Sequence, residues 1–308
     1  MLGKHRNSRH SEKGKIVLQS LTREELNLHK DSKWVKQIIS LQEEDGKWGW
    51  FHSLSQFYHS QITTEQALRR LMYLGYTIED ECIRKAVSYM NDCLTGKNEI
   101  PDRREKLHDW NIFTNLILSA WIRVFAKDNL AANEVAGQWA EIISAAFADG
   151  KYNHIKYVNA YCEVLGLKPK GGRLIDFTNF YPIALLADCL DENTERALIE
   201  YILNGEKGIY YIYDSKIIIP PQEFESKAAS HYLAAAELLA KYKTGKVKLQ
   251  FVLDWLEANK NQNGKWDMGS SVNDKVYFPL SDNWRRRETR EADCTERITN
   301  LRRALTLS

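Results

Sequence analysis

Four stretches of this sequence carry side chains that could do chemistry. Leu107-His108-Asp109-Trp110 places an imidazole beside a carboxylate just ahead of the most apolar helical stripe in the chain. His108 or Asp109 could serve there as a general acid or base, and Asp109 could equally be the N-cap of that helix. Asp176 opens a further apolar run and joins them as a catalytic candidate, with a structural role as the simpler expectation. In Ser226-Lys227-Ala228-Ala229-Ser230-His231-Tyr232, Lys227 and His231 are i, i+4 neighbours on one helical face, among small residues that permit close approach. His231 is then a fourth acid-base candidate and Lys227 a ligand-binding one; a hydrogen-bonded core histidine is the alternative. The last stretch, Asp282 to Arg290, joins Trp284 to Arg285, Arg287 and Arg290. Guanidinium forks beside an indole suit phosphate, sulfate or carboxylate, as on an isoprenoid diphosphate. The interleaved Glu288, Glu291, Asp293 and Glu296 suit a salt-linked surface segment just as well.

These residues must be positioned by helices. Thr63 precedes Gln66 at the spacing of a capping box, Leu68, Leu71 and Met72 follow on one face, and Gly75 closes the segment. Ile83, Ala86, Val87 and Met90 repeat the pattern after a short turn, which makes the two helices an antiparallel pair. Stripes follow over Ile112 to Phe125, Val135 to Phe147, Val158 to Leu165, Ile183 to Leu190, Ala197 to Leu203, Ala228 to Tyr242, Val247 to Leu256 and Thr295 to Leu305. This predicts an all-α chain of about ten to twelve helices with short connections. Gly208 to Ile219, rich in Tyr and Ile, reads either as a small β-hairpin or as a long aromatic loop.

Composition narrows the partners. The chain's 308 residues are 44% hydrophobic and 27% charged, enough apolar surface for a large core. Its 43 basic and 41 acidic residues nearly cancel, so no nucleic-acid partner is expected. Residues 1–15, with Lys4, Arg6, Arg9, Lys13 and Lys15, read as a flexible basic arm, and 16–308 as one domain. Neither a signal peptide nor a transmembrane segment is evident. The five cysteines are widely spaced without a CxxC pair, which argues against a disulfide framework or zinc ribbon and fits a reducing cytoplasm. No motif points to a cofactor.

One turn recurs. Ile38 to Trp48 and Leu256 to Trp266 both run from an apolar helix through a polar turn to Gly-Lys-Trp, and Phe147-Ala148-Asp149-Gly150-Lys151-Tyr152 is a degenerate third copy. In each, the glycine permits a positive φ and the aromatic can fold back as a plug between helical hairpins. Gln42-x-x-x-Gly46-x-Trp48 resembles the QW motif of the squalene-cyclase and prenyltransferase superfamily, and the second copy keeps Gly264 and Trp266 with Lys260 in place of the glutamine. The resemblance implies an α/α toroid, a barrel of helical hairpins around a central cavity that takes an apolar or isoprenoid-like ligand.

The catalytic signatures of that superfamily are another matter. Triterpene cyclases carry a DxDD acid, and none is present; Glu79-Asp80-Glu81 opens a helix, where it complements the dipole. Zinc-dependent members space Asp and Cys two apart, whereas here Asp188-Cys189 and Asp293-Cys294 are adjacent and diverge by about 100° on a helix. The nearest aspartate-rich string, Asp191-Glu192-Asn193-Thr194-Glu195, fits a helix cap better than a magnesium diphosphate site. A non-catalytic binding or scaffold toroid, or a carbohydrate-active α/α barrel with paired carboxylates, therefore stand beside the isoprenoid reading.

Overall fold

The computed structural model describes residues 29–52, 62–104 and 108–306; the arm expected at residues 1–15 lies outside them. The described residues form twelve α-helices and no strands. In chain order they are α1 (Lys33–Ile39), α2 (Thr64–Tyr73), α3 (Glu81–Leu94), α4 (Trp110–Phe125), α5 (Leu130–Ala146) and α6 (His154–Val164). There follow α7 (Phe180–Leu186), α8 (Glu192–Asn204), α9 (Lys227–Leu239), α10 (Lys243–Lys248), α11 (Gln250–Ala258) and α12 (Arg287–Thr306). None is long and apolar enough to cross a membrane.

Short polar side chains start these helices, because the first backbone N–H groups have no intrahelical partner. Thr63 and Gln66 form the expected reciprocal box on α2. At the other end, Gly75 N–H bonds the Met72 carbonyl and Tyr76 N–H that of Leu71. Asp109, Asn129, Asn153, Asn179, Asp191 and Ser226 cap α4 to α9 in the same way. Asp191 accepts from the Thr194 hydroxyl and from the Thr194 and Asn193 N–H groups, which hold its carboxyl below its ordinary value and occupy it as the cap of α8. Two expected helices differ in extent. Val247 to Leu256 breaks into α10 and α11, and the last helix begins at Arg287, not Thr295, so the arginine-rich segment forms its first turns.

Apolar faces from α1 to α12 merge into one buried cluster. The tightest pairings are α4 on α7, α5 on α6, α3 on α4 and α4 on α5, and α9 also packs on α12. Residues 208–219 follow the loop alternative. Ile209 and Tyr213 exchange backbone hydrogen bonds at 2.8 and 2.9 Å around Tyr211 at φ 73°, an isolated antiparallel bridge that does not extend into strands. The buried Ile209, Ile212 and Ile217 anchor the loop to the core.

The recurring turn has one construction in its first two copies. Trp48 Nε1 donates to the Ile38 carbonyl at 2.8 Å and Trp266 Nε1 to the Leu256 carbonyl at 2.6 Å, each ten residues back. The backbone N–H of each tryptophan bonds a threonine hydroxyl, Thr64 or Thr295, on α2 or α12. Gln42 clips the first turn to the Cys82 carbonyl at 2.8 Å, whereas Lys260 lies 5.0 Å over the Trp266 ring. In the third copy Gly150 makes the same turn, but Tyr152 packs among Phe147, Phe177 and Tyr201 and its hydroxyl meets His154.

Candidate functional site

Helix α2 carries Glu65, Arg69 and Tyr73 one turn apart, so all three fall on one face. That face is turned inward. Glu65 accepts from Tyr181 Oη at 2.9 Å, from Arg69 at 3.2 Å and from Trp121 Nε1 at 3.4 Å, with His52 Nε2 3.6 Å away. Arg69 lies 4.2 Å over the Phe180 ring. Burial pulls its guanidinium down, but the oxygens of Tyr277, Glu65, Tyr181 and Tyr73 outweigh that and leave its pKa raised.

A second charged pair faces it. Arg297 of α12 grips Glu237 of α9 with two hydrogen bonds of 2.7 and 3.1 Å, and reaches the Ser230 hydroxyl at 2.9 Å and its carbonyl at 3.0 Å. Tyr73 donates to Glu237 at 2.6 Å. Burial and the Glu237 charge both push the Tyr73 phenol well above its ordinary value, so it remains a donor. Tyr73, Tyr277 and Phe278 surround the Arg297 guanidinium at 5.0 Å each.

Arg69, Tyr73, Phe180, Glu237, Tyr277 and Arg297 from these two clusters line a cavity of about 810 Å³. It opens among the C-terminal halves of α2, α9 and α12 and the last turn of α4. Met72, Leu74, Val124, Phe180, Leu238 and Leu301 make most of its surface apolar. Four cations (Arg69, Lys241, Arg297, Arg303) line it against two carboxylates (Glu237, Glu296), and Glu296 is paired with His29 at 2.9 Å.

Lys241 is exposed, one residue past the C-cap of α9, and borders the cavity. Desolvation by the protein around it is the main cause that lowers its pKa, with the charge of Lys127 adding to it. The folded state therefore holds this proton less tightly than the unfolded chain does. Between the lowered folded value and the ordinary 10.5, unfolding takes up a proton and stability rises with pH. Below that window the ammonium is charged in both states, and because the side chain is exposed, solvent screening keeps its cost to folding small. Lys241→Met is expected to melt only slightly above wild type near neutral pH, with the advantage shrinking as pH climbs towards 10.5. Thermal melts across the pH series check this; a variant that melts below wild type at neutral pH refutes it.

The residues singled out from the sequence lie elsewhere: none of the nine lines this cavity. Asp109 caps α4 by accepting from Asn111 and Ile112 N–H at 3.0 and 3.2 Å. His108 sits half-buried beside Phe113. Asp176 is exposed and turns the chain into α7 by accepting from Thr178 N–H and hydroxyl. His231 bonds the Ile212 carbonyl at 2.8 Å, packs on Tyr277, and holds Nε2 3.6 Å from Asp274. Lys227 is exposed at the start of α9.

The arginine stretch is a salt-linked surface. Arg290 chelates Asp267 at 3.1 and 3.2 Å, Arg287 pairs with Glu291 at 3.0 Å, and Arg285 points to solvent. Trp284 is buried instead, stacked 5.1 Å from Phe278. Nor do the adjacent Asp-Cys pairs act together: Asp188 pairs with Lys127, while Cys189 receives Arg123. Among the described residues no group of three or more His, Cys, Asp or Glu could hold a metal ion.

The residues that do line the site left two signals in the sequence. Glu237 is the one charge in the run Tyr232 to Ala240, and Glu65-Arg69-Tyr73 repeats every four residues on a helix that also buries Ala67, Leu68 and Leu71. A charge on a buried face needs partners, and partners at one place in a core make a site. No protein-family model, no curated protein and no solved structure matches this chain significantly.

Proposed function

We propose that this chain is an α/α toroid of the squalene-cyclase and prenyltransferase type that holds an apolar, isoprenoid-like ligand in its central cavity. The observation that carries the reading is the cavity itself. About 810 Å³ lies within the range of small-molecule sites, and an apolar wall with a few converging polar groups is their usual make-up. The shared construction of the Gly46-Lys47-Trp48 and Gly264-Lys265-Trp266 turns supports a fold built from repeated hairpins. The two carboxylates of these clusters are already committed, Glu237 to Arg297 and Tyr73, Glu65 to Arg69 and Tyr181. That favours binding, with or without a reaction, over a pair of free carboxylates poised for glycoside hydrolysis.

Titration of the full chain with farnesol by calorimetry tests the reading. Saturable binding is expected, weakened tenfold or more by Ala234→Trp, which fills the cavity from α9, and unchanged by Arg285→Gln on the surface. Absence of saturable binding to wild type, or equal binding to Ala234→Trp, would overturn it.

A further inference from the structure

We infer that the ligand carries one negative charge, a carboxylate, held by Lys241 and Arg303 at the cavity's rim. The inference rests on the apolar-ligand reading above and adds the head group to it.

The charges around the cavity are unequal in their engagement. Arg297 is spent on Glu237 and Ser230, Arg69 on Glu65, and Glu296 on His29. Among the described residues, the Lys241 ammonium and the Arg303 guanidinium have no ion pair or hydrogen bond. Both stand at the ends of their helices, Lys241 two residues past α9 and Arg303 in the last turn of α12. They are thus on the side opposite the Glu65 cluster, where α2 begins. A chain with its tail against Phe180 and Ala234, seven residues before Lys241 along α9, would bring its head to the rim. An arginine fork receives a carboxylate on two parallel N–H groups, and the lysine supplies a point charge.

The number of negative charges is set by what else surrounds the rim. Last turns and C-termini of α2, α4, α9 and α12 meet there, and helix C-termini carry partial negative charge. Glu237 and Glu296 add two carboxylates. Diphosphates are commonly received at helix N-termini, where backbone N–H groups and the positive dipole end converge. This rim presents carbonyl ends and two free cations, which match a single charge and oppose three. The lowered pKa of Lys241 fits as well, since a carboxylate beside it would raise that pKa again.

Calorimetric titration with farnesol, farnesoate, farnesyl diphosphate and palmitate separates head from tail. Farnesoate and palmitate are expected to bind at least tenfold tighter than farnesol, and the diphosphate no tighter than farnesoate. In the K241Q/R303Q double variant the preference for farnesoate over farnesol should disappear while farnesol affinity stays within about twofold, which also reports that the variant is folded. Farnesoate binding no better than farnesol, the diphosphate binding best, or a preference that survives in the double variant would each overturn the head-group assignment and leave the apolar cavity standing. Failure of all four ligands would overturn both.

Discussion

Arg297→Met is expected to lower the unfolding free energy by about 3–5 kcal/mol, because it leaves Glu237 charged at the cavity wall with only Tyr73 as donor. The Arg297 side chain is 3% exposed and makes four hydrogen bonds within one pocket of aromatic rings. Methionine keeps most of the aliphatic stem, so the loss reports the guanidinium and not a cavity. Arg297→Lys should recover little, since an ammonium cannot span Glu237 and Ser230 at once. The double variant R297M/E237Q should regain a large part of the loss, because removing both charges removes the stranded one. Urea unfolding of wild type, R297M, E237Q and R297M/E237Q gives the cycle. A single variant within about 1 kcal/mol of wild type would show that the pair contributes little beyond packing.

Gly46→Ala should be the more damaging of two chemically identical changes. Gly46 has φ 100°, and a Cβ there would meet the Lys85 carbonyl oxygen at 2.5 Å and its carbon at 2.6 Å. Those are backbone atoms of α3, so relief requires the helix to move. Left-handed strain and overpacking together are expected to cost about 3–5 kcal/mol. Gly264, in the second copy of the turn, has φ 72° and nothing within 4 Å of the same Cβ. Gly264→Ala then carries the backbone term alone, about 1–2 kcal/mol. Denaturation midpoints of the two variants check the ordering; equal losses would mean that the close approach to α3 is unimportant.

The two glycines show where the sequence stops being sufficient. Gly-Lys-Trp at both places specifies a positive φ and a tryptophan folded back on its own helix, because those follow from bonds within ten residues. Nothing local says that α3 will pass within contact of one glycine and leave the other open. The same division holds across the chain. Capping residues, apolar stripes and closing glycines are local, and they made α2 to α9 legible with only their ends displaced. The break between α10 and α11 and the early start of α12 were not, since neither carries a glycine or proline at the boundary.

The site was the least legible part. His108, Asp109, Asp176 and His231 are conspicuous because imidazoles and carboxylates stand out beside helix starts, yet helix starts are where such groups satisfy backbone donors or stray carbonyls. The arginines of 285–290 are conspicuous by density, and density let them pair with the acids interleaved among them. Glu65, Arg69, Glu237, Arg297 and Arg303 sit on three helices and Lys241 just past one of them, spread over more than two hundred residues of the chain. By itself the sequence determined that the chain is helical and that two of its turns are built alike, because hydrogen bonds and side-chain periodicity within a few turns decide those. Which charges neutralise each other and which two are left facing an empty apolar space was decided only by tertiary packing, because a charge acquires a partner only when another helix brings one within reach.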